Sequence, residues 1–126
     1  MKMLIVDDST VMQRKIQRSI TLEQITDFLT ASNGLEAVEI FKQELPELVT
    51  MDLTMPEMSG EETFDRLKQI HADVPIIISS GYDEAEASRR FIGKGVSGFL
   101  KKPYTAETLA ERTNAALAVR SRKVQA

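Results

Sequence analysis

Five short apolar runs alternate along the chain with longer stretches in which apolar residues recur every three or four positions. The runs are residues 3–6, 25–31, 48–51, 74–78 and 98–100. Short runs of this kind, several of them rich in β-branched residues, are typical of buried strands, and the polar content of the second run favours an edge position. The stretches between them keep their apolar residues on one helical face, which predicts a helix after every strand.

Residues that favour helix ends frame the predicted helices. A capping residue stands at the expected start of each one: Ser9 or Thr10, Asn33, Ser59, Asp83 and Thr105. Three of these caps are followed three positions later by Glu, which is the spacing of a capping box. Pro46 ends the second helix, and Gly93 and Gly95 mark the end of the fourth.

Strict alternation of strand and helix predicts the fold class. Strands that are apolar on both faces belong to parallel sheets that helices cover on both sides. The expected architecture is α/β, a doubly wound five-stranded parallel sheet of the flavodoxin-like type, with strand order 2-1-3-4-5 and five helices. In such a sheet the carboxyl ends of the first and third strands flank the switch point at which ligands bind.

Length, composition and charge limit the possible functions. The 126 residues predict one domain over residues 1–119, followed by a basic tail at 120–126 that we expect to fray. The chain has no cysteine and one histidine, His71, which excludes thiol chemistry and any multi-histidine metal site; we expect His71 on the surface near a helix end. A net charge of −3 argues against direct nucleic-acid binding. No apolar stretch has membrane-spanning length and no signal peptide is visible, so we expect a cytoplasmic protein.

Residues suited to chemistry concentrate at the carboxyl ends of four predicted strands. They are Asp7 and Asp8 after the first strand, Asp52 after the third, Ser80 after the fourth and Lys102 after the fifth. Three carboxylates at one switch point repel each other unless a cation neutralises them, and an oxygen-only site suits Mg²⁺. With a lysine and a hydroxyl opposite the metal, this edge has the groups needed to make Asp52 a phosphoryl acceptor.

Each of these features alone has an ordinary structural explanation. An acidic pair after a strand often only favours the positive end of the following helix, a serine often marks a turn, and paired lysines are usually solvated. All four features lie at the carboxyl ends of different strands, and the opposite ends of the strands carry no comparable residues. This combination favours the interpretation as a phosphoryl-acceptor site.

Four sequence blocks, in this order, resemble the receiver domains of two-component response regulators. They are IVDDS at 5–9, MDLTMPEMSG at 51–60, IIISSG at 76–81 and FLKKPY at 99–104, and the resemblance covers nearly the whole chain. It implies that Asp52 is phosphorylated by a histidine kinase or a phosphotransfer protein. It also implies that Asp8, Asp52 and the backbone carbonyl of Thr54 ligate Mg²⁺ (or Mn²⁺) directly, with Asp7 acting mainly through water.

The same resemblance assigns the groups around the phosphoryl group. Lys102 would pair with it, Ser80 would donate a hydrogen bond to it, and Phe99 matches the switch aromatic of the family. Ser80 stands where Thr is more frequent and keeps the hydroxyl, whereas Phe99 stands where Tyr is frequent and lacks one. By resemblance, Thr54 and Tyr82 flank the approach of the hydrolytic water, and their side chains predict a slow loss of phosphate.

By this resemblance we expect a stand-alone, chemotaxis-type regulator without an output domain after Ala126; the alternative is a module cut from a larger protein. Its expected output surface lies within residues 83–119, and the sequence does not identify the protein that this surface binds. We expect a monomer or a phosphorylation-dependent dimer, without membrane or nucleic-acid contacts. The only expected catalysis is its own phosphorylation and slow autodephosphorylation, so the chain is not a conventional enzyme.

Two other functions fit parts of the pattern. Small phosphatases of the haloacid dehalogenase type also use Mg²⁺, a strand-end Asp, a hydroxyl and a lysine, but they require a second Asp where this chain has Thr54. A flavin-binding module of the same topology requires a phosphate loop rich in Ser, Thr and Gly, whereas Asp7 and Asp8 would repel a phosphate there. Acetyl phosphate with Mg²⁺ distinguishes the three, since a regulator stays phosphorylated, a phosphatase turns over and a flavoprotein does neither.

Overall fold

The computed structural model describes residues 1–20, 25–53, 59–81, 84–91 and 93–125. Five strands and five helices alternate in this part of the chain, as predicted. The strands are β1 (Lys2–Val6), β2 (Asp27–Ala31), β3 (Leu48–Asp52), β4 (Ile76–Ser80) and β5 (Gly98–Lys101). The helices are α1 (Thr10–Ser19), α2 (Gly34–Glu44), α3 (Gly60–Ile70), α4 (Glu84–Arg90) and α5 (Ala106–Gln125).

Two element boundaries differ from those that the sequence predicts. β2 begins at Asp27, where pairing with Lys2 of β1 starts, although the apolar run begins two residues earlier with the buried Ile25. α5 continues to Gln125, into the expected basic tail, whereas the domain boundary expected at residue 119 stays a prediction. No proline or glycine interrupts the sequence of α5, so no residue in it favours an earlier end of the helix.

The sheet is parallel throughout and has the predicted order, β2-β1-β3-β4-β5. β1 pairs with both β2 and β3, so that Val6 lies opposite Ala31 on one side and Met51 on the other. Because all five strands run in the same direction, their carboxyl ends form one edge. The chain order reverses between β1 and β3, and the residues that end these two strands therefore share the switch point.

Two apolar layers cover the sheet, one on each face. Alternate residues of a strand face opposite sides, so Leu4 and Val6 pack with residues of α2 and α3, while Met3 and Ile5 pack with residues of α1 and α5. We call the second group the α1/α5 layer. Its buried members are Met3, Ile5, Ile16, Ile20, Ile25, Leu48, Ile77, Leu100, Tyr104, Leu109, Ala116 and Leu117.

Side-chain caps begin four helices at the predicted residues. Ser9, Asn33 and Ser59 each accept a hydrogen bond from the backbone N–H three residues later, at 3.2, 2.8 and 3.1 Å. Thr105 does the same for α5 at 3.1 Å. Each of these bonds satisfies a backbone donor that the first helical turn leaves unpaired. The fifth predicted cap, Asp83, lies outside the described residues.

Gly60 lets α3 begin directly behind the end of β3. A Cβ at this position would lie 2.8 Å from the Leu53 Cα and 3.2 Å from the carbonyl oxygen of Asp52. No larger residue fits such contacts without displacing the backbone. The glycine in the sequence block at 51–60 therefore fixes the distance between the helix start and the functional edge of the sheet.

The surface carries the features expected there. His71 is exposed at the C-cap of α3. β2 is an edge strand and its first four residues are at least partly exposed, in keeping with its polar content. Within the described ranges, no helix is both long enough and apolar enough to cross a membrane.

Candidate functional site

Asp7 and Asp8, at the end of β1, differ sharply in exposure. Asp7 is 1% exposed, whereas Asp8 is exposed. Asp7 Oδ1 accepts a hydrogen bond from the Ser9 N–H at 2.9 Å, and the Asp7 N–H donates to the Ala31 carbonyl at 3.0 Å. Burial raises the pKa of Asp7 above its ordinary value of 3.8, against the opposing effects of the Ser9 hydrogen bond and the Lys102 charge.

The three carboxylates predicted to meet at the switch point are close together. Asp52 is the last residue of β3 and is 4% exposed. One carboxylate oxygen from each of Asp7, Asp8 and Asp52, which we call the acidic cluster, lies within 4.8 Å of the other two. This donor set fits Mg²⁺, which prefers oxygen ligands and keeps several waters. Because two of the carboxylates are buried, their mutual repulsion is only weakly screened by solvent.

Lys102 lies between the two buried carboxylates. Its Nζ is 3.4 Å from Asp7 Oδ2 and 3.1 Å from Asp52 Oδ2. The backbone holds this residue close to β4, because the Lys102 N–H donates to the Ser80 carbonyl at 2.7 Å. Burial by itself lowers the pKa of Lys102, but the charges of Asp52 and Asp7 outweigh it and raise the pKa above 10.5. Lys102 is therefore a lasting positive charge within the acidic cluster.

Ser80 and Phe99 lie on the same face of the sheet, on the side of α3. Ser80 ends β4 and is 2% exposed, and Phe99 of β5 pairs in register with Ile78, two residues before Ser80. The partly buried Phe99 ring meets Phe91 at 6.5 Å, and Phe91 meets Phe64 at 5.2 Å, both nearly edge-on. The residues predicted to form a switch thus occupy neighbouring strands, and an aromatic row leads from them to α3.

Two predicted site residues, Thr54 and Tyr82, lie outside the described residues. The carbonyl ligand expected from Thr54 and the shielding expected from Tyr82 therefore stay predictions. The structure brings Asp7, Asp8, Asp52 and Lys102 together at the carboxyl edge of the sheet, and Ser80 ends the neighbouring strand at the same edge.

Gln13 belongs to the site although sequence reasoning did not identify it. It is 7% exposed, and its Nε2 donates to the Asp7 carbonyl oxygen at 2.7 Å, with a longer contact of 3.4 Å to the Ala31 carbonyl. A signal was present, because Gln13 keeps the core spacing of α1 with Ile16 and so faces inward. Its amide ties α1 to the ends of β1 and β2 and thereby helps to orient Asp7.

Removing the buried charge of Asp7 should stabilise the metal-free protein. We expect Asp7→Asn to raise the free energy of unfolding at neutral pH by about 1 kcal/mol, since Asn keeps an acceptor for the Ser9 N–H. The pKa of Asp7 is raised in the folded state, so its penalty is present at neutral pH and is relieved as the pH falls towards 3.8. Urea unfolding between about pH 4 and 7 should accordingly show a smaller decrease of the free energy of unfolding with rising pH in Asp7→Asn than in the wild type.

The comparison variant is Asp8→Asn, which neutralises an exposed member of the same cluster. We expect it to stabilise the metal-free protein less than Asp7→Asn does, because solvent already screens Asp8. A lower stability of Asp7→Asn at neutral pH would mean that the carboxylate stabilises the fold more through its ion pair with Lys102, at 3.4 Å, than it destabilises it through burial and repulsion.

Comparisons with known proteins find relatives that match most of this chain. The family model of the response regulator receiver domain matches residues 3–114. The chain is also similar to the chemotaxis protein CheY of Bacillus subtilis, with 36% identity over 116 residues that cover 92% of this chain and 97% of that protein.

Solved structures share the fold. A chain in the structure of the CheX–CheY–BeF₃–Mg²⁺ complex from Borrelia burgdorferi matches with a TM-score of 0.85 and 26% identity, over 92% of this chain and 88% of that one. A CheY-like receiver domain protein from Methanospirillum hungatei matches with a TM-score of 0.87 and covers 97% of each chain. The identity in this second case is 22%, so it bears on the fold alone.

Proposed function

This chain belongs to the family of receiver domains of two-component response regulators, and from this premise we propose that Asp52 accepts a phosphoryl group in the presence of Mg²⁺. The observation that carries the proposal is the position of Lys102, whose Nζ lies 3.1 Å from Asp52 and 3.4 Å from Asp7. A carboxylate flanked by a fixed cation and by further carboxylates has the surroundings in which a metal and a phosphoryl group bind side by side.

In the proposed reaction a carboxylate oxygen of Asp52 bonds to phosphorus while the bond from phosphorus to the donor breaks. The phosphoryl group brings negative charge to an edge that already holds three carboxylates, so its arrival requires positive charge there. Lys102 supplies one such charge next to the acceptor. The Ser80 hydroxyl, at the end of the next strand, donates a hydrogen bond to a phosphoryl oxygen.

The metal would be held by the acidic cluster. Asp8, Asp52 and the carbonyl of Thr54 would ligate Mg²⁺ (or Mn²⁺), and Asp7 would contact it through water. The spacing of the three carboxylates, within 4.8 Å of one another, suits a single ion with oxygen ligands. When bound, the ion neutralises carboxylate and phosphoryl charge. The match to a CheY complex that contains BeF₃ and Mg²⁺ supports this assignment.

The partners follow from the family. We propose that the phosphoryl donor is a histidine kinase or a phosphotransfer protein in the cytoplasm, and that a target protein binds a surface within residues 83–119. The protein would be a monomer or a phosphorylation-dependent dimer and would contact neither membrane nor nucleic acid. Thr54 and Tyr82 are proposed to slow hydrolysis of the phosphorylated form.

Acetyl phosphate with Mg²⁺ tests the proposed function. We expect a lasting mass increase of one phosphoryl group per chain, together with little continuous release of inorganic phosphate. Continuous turnover without a lasting adduct would instead indicate a phosphatase of the haloacid dehalogenase type, which neither the family model nor the similar proteins support.

Ser80→Ala should separate phosphorylation from its structural consequence. We expect the variant to be phosphorylated on Asp52 but to show much smaller amide shifts over residues 83–104. In the wild type, the Ser80 hydroxyl moves toward the phosphoryl oxygens and frees space on its face of the sheet for the Phe99 ring. The two positions of the ring have similar energies, so the hydrogen bond from Ser80 to the phosphoryl group is enough to favour one of them.

The control is Thr113→Ala, since Thr113 is also buried but its hydroxyl donates to the Leu109 carbonyl of its own helix, α5. Amide spectra recorded with and without acetyl phosphate should show full-sized shifts for Thr113→Ala. Full-sized shifts in Ser80→Ala as well would break the proposed link between phosphorylation and Phe99.

A further inference from the structure

Two buried hydroxyl groups lie beneath the acidic cluster without a partner among the described residues. Thr50 is 3% exposed and Tyr104 is 8% exposed, and neither Thr50 Oγ1 nor the Tyr104 hydroxyl makes a hydrogen bond there. A buried hydroxyl that has lost its bonds to water and gained none in return destabilises the fold. Two such groups in one small domain therefore require an explanation.

Both hydroxyl groups belong to the same side of the sheet. Thr50 pairs in register with Ile5 of β1 and Ile77 of β4, and register partners in a parallel sheet point to the same face. Ile5 and Ile77 are members of the α1/α5 layer, and so is Tyr104. The Thr50 side chain and the Tyr104 ring are therefore packed into one layer.

Thr50 and Tyr104 each lie two residues along the chain from a member of the ion pair between Asp52 and Lys102. Thr50 lies two residues before Asp52 on the same face of β3, and Tyr104 lies two residues after Lys102. Asp52 and Lys102 are joined at 3.1 Å at the edge of the sheet. A connection between Thr50 and Tyr104 would thus join the same two segments that carry Asp52 and Lys102, two residues further from the edge of the sheet on β3.

The chemistry of Tyr104 suits a donor at this depth. Burial, together with the negative charges of Asp7 and Asp52, raises the pKa of Tyr104 to about 12, so the hydroxyl keeps its proton. A hydroxyl is both donor and acceptor, and a buried water is stable when two or more such groups converge on it. Thr50 and Tyr104 offer complementary groups of this kind.

We propose that the hydroxyls of Thr50 and Tyr104 bind one buried water, and that this bridge positions Asp52 relative to Lys102 for phosphoryl acceptance. The bridge joins β3 to the segment that follows β5. Thr50 and Tyr104 are positioning residues, since they act through Asp52 and Lys102 rather than on the phosphoryl group. The positioning role rests on the proposed function, whereas the bridge itself does not.

A double-mutant cycle in urea unfolding tests the bridge. Thr50→Val and Tyr104→Phe each remove one hydroxyl with little change of shape, and each should lower the urea midpoint, because the hydroxyl that remains loses its partner. The double variant should be no less stable than the weaker single variant, since no unpaired hydroxyl is left. Two independent orphaned hydroxyls would give the opposite result, in which each substitution raises the midpoint and the effects add. If the changes in urea midpoint of the two single variants add in the double variant, whether they raise or lower the midpoint, the bridge is overturned.

Thr113→Val is the matched control. Thr113 is fully buried on α5, but its hydroxyl donates to the Leu109 carbonyl of its own helix at 2.8 Å. Its effect should add to that of Tyr104→Phe. A crystal structure of the wild type should show an ordered water within hydrogen-bond distance of Thr50 Oγ1 and the Tyr104 hydroxyl, and apolar atoms filling that space would also overturn the proposal.

The rate of phosphorylation by acetyl phosphate tests the positioning role. We expect Thr50→Val and Tyr104→Phe each to slow it by about threefold or more, and the double variant to be no slower than the singles. Thr113→Val should react at the wild-type rate. If Thr50 and Tyr104 had a purely structural role, their variants would not differ from Thr113→Val in this rate. Unchanged rates in both single variants would overturn the positioning role. If the wild type itself is not phosphorylated, the proposed function fails, while the unfolding cycle still decides the bridge.

Discussion

Asp52→Asn is expected to abolish phosphorylation by acetyl phosphate and Mg²⁺, with a loss of at least about 100-fold in rate. A neutral amide is a poor nucleophile toward phosphorus. We expect that Asp7, the other buried carboxylate next to Lys102, does not replace Asp52, because Ser9 already donates a hydrogen bond to its Oδ1. Intact-mass spectrometry at a series of times after addition of acetyl phosphate measures this directly.

Asp27→Asn is the control for this experiment. Asp27 is an exposed carboxylate that pairs with Lys2 at the opposite end of the sheet, so its removal leaves the acidic cluster intact. We expect this variant to gain one phosphoryl group at the wild-type rate. If Asp52→Asn gained a phosphoryl group at a comparable rate, the acceptor would be another residue.

The second large effect is expected from Lys102→Met, which removes the cation from the acidic cluster and keeps most of the apolar stem. Lys102 lies within 3.4 Å of Asp7 and 3.1 Å of Asp52, and its side chain is 27% exposed. The substitution takes the Lys102 charge away from two buried carboxylates, so we expect the free energy of unfolding without Mg²⁺ to fall by about 2 kcal/mol. By the proposed function Mg²⁺ binds the folded state and supplies the missing positive charge, so it should recover part of this loss.

Lys94→Met provides the comparison for the stability of Lys102→Met. Lys94 pairs with Asp65 at 3.0 Å, but both side chains are more exposed, at 33% and 50%. An ion pair of that kind contributes at most about 1 kcal/mol, and Mg²⁺ should not alter its effect. Urea unfolding of both variants with and without Mg²⁺ gives the four values required. Equal losses in the two variants would mean that Lys102 is an ordinary surface lysine.

Much of the fold follows from local sequence patterns. The apolar runs and helical stripes identified the five strands and five helices of the described residues. The runs of β1, β3 and β4 are buried on both faces, whereas β2 and β5 are partly exposed, and a helical stripe is buried on one face. Ser9, Asn33, Ser59 and Thr105 cap helices in the structure as their spacing predicts. The strand order followed from the alternation of strand and helix, since doubly wound sheets have few arrangements.

The site was only partly predictable. The sequence places Asp7 and Asp8 side by side, but the burial of one and the exposure of the other depend on how the β1–α1 turn leaves the sheet. Gln13 faces that turn as a result of its helical phase, which a motif search does not reveal. Thr50 and Tyr104 are separated by more than fifty positions. The register of β3 places Thr50 on the face of the α1/α5 layer, and the packing of the segment after β5 places Tyr104 in the same layer.

The most direct test of the central claim is to locate the phosphoryl group. Borohydride reduces an acyl phosphate to the alcohol, so a phosphorylated aspartate becomes homoserine, whereas a phosphate ester on a hydroxyl residue does not react. Trypsin separates the carboxylates of interest, because residues 3–14 carry Asp7 and Asp8 while residues 43–66 carry Asp52. After acetyl phosphate and Mg²⁺, we expect homoserine at position 52 and nowhere else. Homoserine at position 7 or 8, or a phosphate that resists reduction, would contradict the assignment of Asp52 as the acceptor.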